Sequence, residues 1–230
     1  MAADALHALR AAANTLLPEM AASLRDPETP LAVRRRLPRA IMMCEDARAW
    51  DALIAGLDDV RFDVRLQCGL ALDRWRSLHS EHQADPERLF DAVAREVARD
   101  REVWAARRRL ASGQLTLFDQ AVRQRSDRSF ALVFTLLALA LPPEPVRLAH
   151  RALLSSDPGL RGTALEYLES VLPARVREEL WPFLEERPRS RPAVSSEQAL
   201  EQLMRANPSI AIPAADLAAL ARESDPGAPV

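Results

Sequence analysis

The chain has 230 residues, a formal net charge of −2, a pI of about 6.1, and a composition that is 48% hydrophobic and 28% charged. That balance supports a buried core and excludes a wholly disordered chain. All 31 basic residues are Arg, so P-loop, Schiff-base and kinase-type lysine chemistries are excluded, and the near-neutral charge disfavours general nucleic-acid binding.

In chain order, apolar periodicity and helix-start signals predict helices near 3–24, 30–44, 46–57, 60–79 and 86–111, then 115–141, 144–155, 158–172 and 174–186. Pro18 and Pro38 are expected to kink or divide the first two. Asp26-Pro27, Asp58-Asp59, Asp85-Pro86 and Asp157-Pro158 read as helix starts. An Asp at N-cap takes an orphan N–H of the first turn, and a Pro at the next position wastes no donor. In the fourth helix Val64, Cys68, Ala71, Leu72, Trp75 and Leu78 form one apolar stripe. Arg61, Asp63, Arg65, Asp73, Arg74 and Arg76 fall outside it. Leu89, Val93, Val97 and Trp104 make the stripe of the fifth helix, with an expected Asp91–Arg95 pair at i,i+4. Leu160, Ala164, Leu168 and Val171 or Leu172 make that of 158–172. No run alternates with period two, so no sheet is expected.

The most apolar stretch, Phe130–Leu141, has 12 residues, against roughly 20 for a membrane span, and reads as a buried core helix. No membrane insertion is expected. Arg187–Ser195, rich in Arg, Pro and Ser, reads as a boundary. The domain reading is therefore 1–187 as a helical repeat domain, 188–195 as a linker, and 196–230 as a short helical extension with a frayed tail. Cys44 and Cys68 lie in apolar helical patterns and are expected to be buried and unbridged, as in a reducing compartment. The start, MAADALHALR, lacks the basic-then-apolar pattern of a secretory signal, so a cytoplasmic location is expected. Abundant Arg and Ala without Lys points to a GC-rich bacterial genome.

A short motif recurs. LDDVRFDVRLQCGLAL and SSDPGLRGTALEYL share an Asp, an apolar-Arg pair, a small residue after two more positions, and a Leu four further on. The pairs are Val64-Arg65 and Leu160-Arg161, with Val33-Arg34 as a poorer third copy. The pattern resembles HEAT repeats, helix–turn–helix units of about 40 residues that stack into α-solenoids. The resemblance is best over 26–80 and 144–186. The two long helices across 86–141 depart from it. The stretch 127–186 also looks like the soluble HEAT-type region attached to some bacterial transporters of the ATP/ADP-translocase type. Arg128, Phe130, Leu136–Leu141, Pro142-Pro143, Asp157, Arg161, Ala164-Leu165-Glu166, Leu168, Leu172 and Pro173 carry that likeness. No membrane part accompanies it here, so it implies a regulatory or scaffolding module and no transport.

These resemblances imply an all-α fold, a right-handed α-α superhelix of irregular HEAT-like repeats with two long central helices. They also imply a non-enzymatic scaffold or adaptor that binds another protein through a rigid helical surface. Arg34, Arg65 and Arg161 are expected to hold neighbouring loops or Asp residues rather than a ligand. Arg35, Arg36, Arg39, Arg74 and Arg76 are the partner-contact candidates, Arg34–Arg36 with Arg39 being the densest basic patch. The Trp residues read as packing. His79 and His82, at i,i+3 without further Cys or His nearby, read as a helix-end pair and not as zinc ligands. No nucleophile–base arrangement or G-x-G-x-x-G occurs, so no catalytic residue, cofactor or metal is assigned. The alternative is a DNA-binding HEAT-like protein of the alkylated-base glycosylase type, which the net charge of −2 disfavours.

Overall fold

The computed structural model describes residues 2–109 and 117–184, with side chains over 13–105 and 119–184. Among them every regular element is a helix and no strand occurs. In order these are α1 (Ala2–Arg25), α2 (Leu31–Arg34), α3 (Leu37–Ile41), α4 (Arg48–Gly56), α5 (Phe62–Leu78), α6 (Pro86–Arg109), α7 (Leu117–Ala140), α8 (Pro143–Leu154), α9 (Pro158–Val171) and α10 (Ala174–Leu184). The all-α expectation holds over this range. None of these helices is long and apolar enough to cross a membrane. The linker over 188–195 and the extension over 196–230 lie outside the described residues.

The helix starts sort by their local chemistry. Asp157 caps α9, its Oδ1 accepting from the N–H groups of Gly159 (2.8 Å) and Leu160 (3.2 Å). Asp85 accepts the Glu87 N–H at 3.0 Å as α6 begins at Pro86. Asp26 behaves otherwise. It accepts from the Glu28 N–H and the Thr29 hydroxyl, closing a turn, and Pro30 occupies the N-cap of α2. Pro18 sits inside α1 without dividing it, whereas the expected 30–44 helix breaks into α2 and α3. Pro38 takes an early position of α3, where its missing N–H would have had no helical acceptor anyway.

The described residues divide into two compact units: 2–99 with 129–184, and 100–109 with 117–128. In the first, α1, α3, α4 and α5 pack together, α8 packs on α9, and Leu24, Ile41, Leu53, Phe62, Leu72 and Trp75 are fully buried. Helix α5 is enclosed on more than one side. Gly69 lets α7 come close, because a Cβ there would run into the side chain of Leu132. Gly56 likewise faces Cys68 and Leu24. In the second unit Val103, Trp104 and Val122 are buried. Arg125 there grips Asp100 through two hydrogen bonds of 2.5 and 2.7 Å, both side chains buried.

The stripes are mostly as read. Val64, Cys68, Ala71, Leu72, Trp75, Leu89, Val93, Val97, Trp104, Ala164, Leu168 and Leu172 are all buried. Two members differ: Leu78 at the end of α5 and Leu160 in the first turn of α9 are exposed. Arg65, placed on the polar side by period, is buried. The expected Asp91–Arg95 pair is replaced by ties between elements. Arg95 meets Asp58 at 2.8 Å and Asp91 meets Arg175 at 3.2 Å.

Candidate partner-binding surface

The three arginines of the recurring motif share a task. Each is set near the start of its helix or in the short α2 turn, where it reaches backbone carbonyls that a helix or loop leaves unpaired. Arg34 donates from Nε to the Leu24 carbonyl (3.2 Å), near the C-terminus of α1, and pairs with the buried Asp59. Arg65 donates to the carbonyls of Asp59 (3.0 Å) and Val60 (3.1 Å) and forms a two-pronged pair with Glu96 of α6 at 2.5 and 3.2 Å. Ser129 of α7 adds its hydroxyl to Glu96 at 3.3 Å. Arg161 donates to the Leu153 carbonyl near the end of α8 and to the Leu184 carbonyl at the end of α10 (3.2 Å). A cation suits these helix ends because the last carbonyls carry partial negative charge. The expectation that these arginines hold neighbouring segments is met. Period alone did not reveal that Arg34 and Arg65 are buried.

Other arginines of this unit are also engaged. Arg88 meets Asp51 at 2.6 Å, Arg99 reaches the Leu57 carbonyl at 3.2 Å, Arg147 meets Glu144 at 3.0 Å, and Arg175 meets Glu87 at 2.6 Å. The five partner-contact candidates, like Arg61 and Arg151, make no such side-chain contact among the described residues. Arg35, Arg36, Arg39 and Arg74 are exposed and Arg76 is half-buried, and none has an ion pair among the described residues. The first three lie on or beside α2 and α3, next to the exposed apolar side chains of Leu31 and Val33. Arg74 and Arg76 lie near the C-terminal end of α5, the helix against which α3 packs.

The aromatic residues build a cluster beneath this region. Trp75 is buried and donates its indole N–H to the Cys44 carbonyl at 2.9 Å. His79 stacks on Trp75 with ring centres 4.0 Å apart, and its Nδ1 lies 2.9 Å from the Trp75 carbonyl. His82 packs against both Trp50 and Trp75. The two histidines thus belong to an aromatic group, and no set of three metal-ligating side chains occurs among the described residues. Cys44 and Cys68 are buried free thiols, as expected. Burial pushes both thiols up, reinforced by Asp46 for Cys44 and by Asp59 for Cys68. Neither is an activated nucleophile.

His150 of α8 was not singled out in the sequence, where nothing but its position after Leu148 and Ala149 marks it. It stacks on Phe134 (4.7 Å between ring centres, 15° between planes) and also meets Phe130. Burial among these rings lowers its pKa below the usual histidine value. The unfolded chain therefore takes up this proton first as the pH falls, so the stability that neutral His150 supports is present above about pH 6.5 and is lost below it. Urea melts at pH 7.5 and 5.5 are expected to show a pH-dependent loss that shrinks in His150→Phe, with the His150 ring titrating below about 6.5 by NMR. An unchanged loss in the variant assigns the effect to other groups.

No family model, curated protein or solved structure matches this chain.

Proposed function

We propose that the chain is a non-enzymatic HEAT-like scaffold or adaptor of the cytoplasm, its helices arranged as a right-handed α-solenoid, that binds another protein through the face carrying Arg35, Arg36, Arg39, Arg74 and Arg76. The observation that carries the reading is the set of guanidiniums without ion pairs among the described residues, in a unit whose other arginines are largely engaged. Unneutralised Arg beside exposed Leu31 and Val33 is a pairing that favours an acidic, partly apolar partner surface. Helical pairs cannot bury both faces alone, and stacking them leaves a broad surface for such contacts. No catalytic group, cofactor or metal enters this reading.

The test pairs a binding assay with a melting curve. Arg35→Glu with Arg39→Glu should leave the melting temperature nearly unchanged, since exposed substitutions usually stay within about 0.5 kcal/mol. The same pair should weaken binding of the protein recovered from the source cell by about tenfold or more, because reversed charges oppose both encounter and docking. Unchanged affinity moves the interface elsewhere, and a large fall in melting temperature makes the patch structural. The second reading, DNA contact of the glycosylase type, draws on the same free guanidiniums. A duplex affinity that falls steeply with salt favours it, and no binding at low salt removes it.

A further inference from the structure

The turn between α4 and α5 carries Val60, at 78% the most exposed large apolar side chain among the described residues. Such a side chain is unremarkable on a loose loop, but this turn is held from two sides. Arg34 of α2 pairs with the buried Asp59 while its Nε donates to the Leu24 carbonyl. Arg65 of α5 donates to the carbonyls of Asp59 and Val60 at 3.0 and 3.1 Å. Asp59 also accepts the Arg61 N–H at 2.7 Å, which closes the turn. The backbone of Val60 is therefore fixed before any contact forms, and a partner that covers it loses little to ordering.

The Arg34–Asp59 pair also decides what lies beside Val60. Val33 precedes Arg34 and Val60 follows Asp59, so the pair ties together two turns that each expose a valine. Leu31 of α2 is exposed as well. Charge at this corner is unequal. Asp58 is engaged by Arg95 at 2.8 Å, Asp59 by Arg34, and Asp63 has a partner of its own. Around them, among the described residues, Arg25, Arg35, Arg36, Arg39 and Arg61 are exposed and without an ion pair. Asp26 and Glu28 are the carboxylates in the turn before α2, and Asp26 accepts only uncharged donors. Five guanidiniums thus stand against two carboxylates, an excess opposite in sign to the chain's net charge of −2.

The side chains at the corner narrow what would meet it. None of the exposed large apolar side chains among the described residues is aromatic, whereas a lipid interface is anchored by Trp and Tyr. A duplex would set its phosphates against Val33 and Val60 and leave their apolar surface without a match. An acidic protein segment satisfies both the charge and the valines. We propose that α2 and the α4–α5 turn form the apolar anchor of the protein contact, and that the partner presents an acidic segment. One aliphatic or aromatic side chain of that segment covers Val33 and Val60, and its carboxylates meet Arg35, Arg36 and Arg61. Val60 and Arg61 are new to the contact, which otherwise rests on the protein-binding reading given above.

The experiment is selection of a displayed library of short random peptides on the full chain at low salt, followed by affinity measurement with the soluble peptides recovered. Enriched sequences are expected to be rich in Asp and Glu around an aliphatic or aromatic residue, and to bind more weakly as salt rises. Val60→Gln and Arg61→Glu should each weaken them by about tenfold, with circular dichroism and melting temperature unchanged. Arg61→Glu should regain affinity when a peptide acid is replaced by Lys. Arg151→Glu, at an equally exposed and unpaired arginine on α8, should bind the same peptides unchanged, which shows that position and not bulk charge is read. Loss of binding in Arg35→Glu/Arg39→Glu but in neither Val60→Gln nor Arg61→Glu overturns the anchor and leaves the basic-face reading standing. No loss in any of these variants removes both. Peptides without enriched acids, an equal loss from Arg151→Glu, or anionic lipid vesicles bound through Val60 where no peptide binds also overturn the anchor.

Discussion

Arg65→Ala is expected to lower the unfolding free energy by about 3–5 kcal/mol, the largest effect of any single substitution argued for this chain. Arg65 and Glu96 are each only 3% exposed at their side chains, and they meet through two hydrogen bonds. Removing the guanidinium leaves a carboxylate buried without that partner and takes the donor from the Asp59 and Val60 carbonyls. The attraction between the two ions is largely offset by the cost of taking both out of water. The double replacement Arg65→Met with Glu96→Leu should therefore recover most of the loss, since it removes both desolvation costs along with the attraction. Urea unfolding of the three variants measures this directly. A single-variant loss below about 1 kcal/mol would show that the pair does not hold α5 to α6.

Leu168→Ala should cost about 2–5 kcal/mol by opening a cavity where α9 packs on α8. Leu168 is 0% exposed, so little solvent-side relaxation can offset the lost contacts. Leu160→Ala, on the same helical stripe but half exposed, should cost far less, because most of the removed surface already faces water. Asp157→Ala belongs between them at about 1 kcal/mol, the loss of an N-cap that serves two backbone donors. Denaturant melts of the three set the order. Equal losses at Leu160 and Leu168 would contradict the difference in their burial.

Most helices were legible because the forces that position them act within four residues. Asp157 and Asp85 hold first-turn donors whatever the rest of the chain does. The 3.6-residue stripe placed Val64, Cys68, Leu72 and Trp75 in the core, as it did Leu89, Val93 and Val97. The arginines of the recurring motif could be assigned to holding neighbours because a planar guanidinium with several donors fits carbonyl ends. The five partner-contact candidates are legible as a basic cluster, but sequence cannot say which arginines keep their charge unmatched.

Tertiary packing decided the rest. Asp91 and Arg95 have the spacing of a helical pair, but such a pair is worth only about 0.2–0.5 kcal/mol. Asp58 and Arg175 take them instead, each tying α6 to another element. Asp26-Pro27 has the spelling of a helix start, yet Thr29 and the Glu28 N–H turn it into a bend before α2. Period analysis assumes one buried face per helix. It fails for α5, which meets Glu96 of α6 through Arg65 and Leu132 of α7 through Gly69. It fails in the opposite sense for α9, where no described helix covers Leu160. A stripe is set by the chain's own covalent order. How many neighbours a helix has, and so which of its polar side chains must be paired in the dark and which of its apolar ones stay in water, is set by segments tens of residues away.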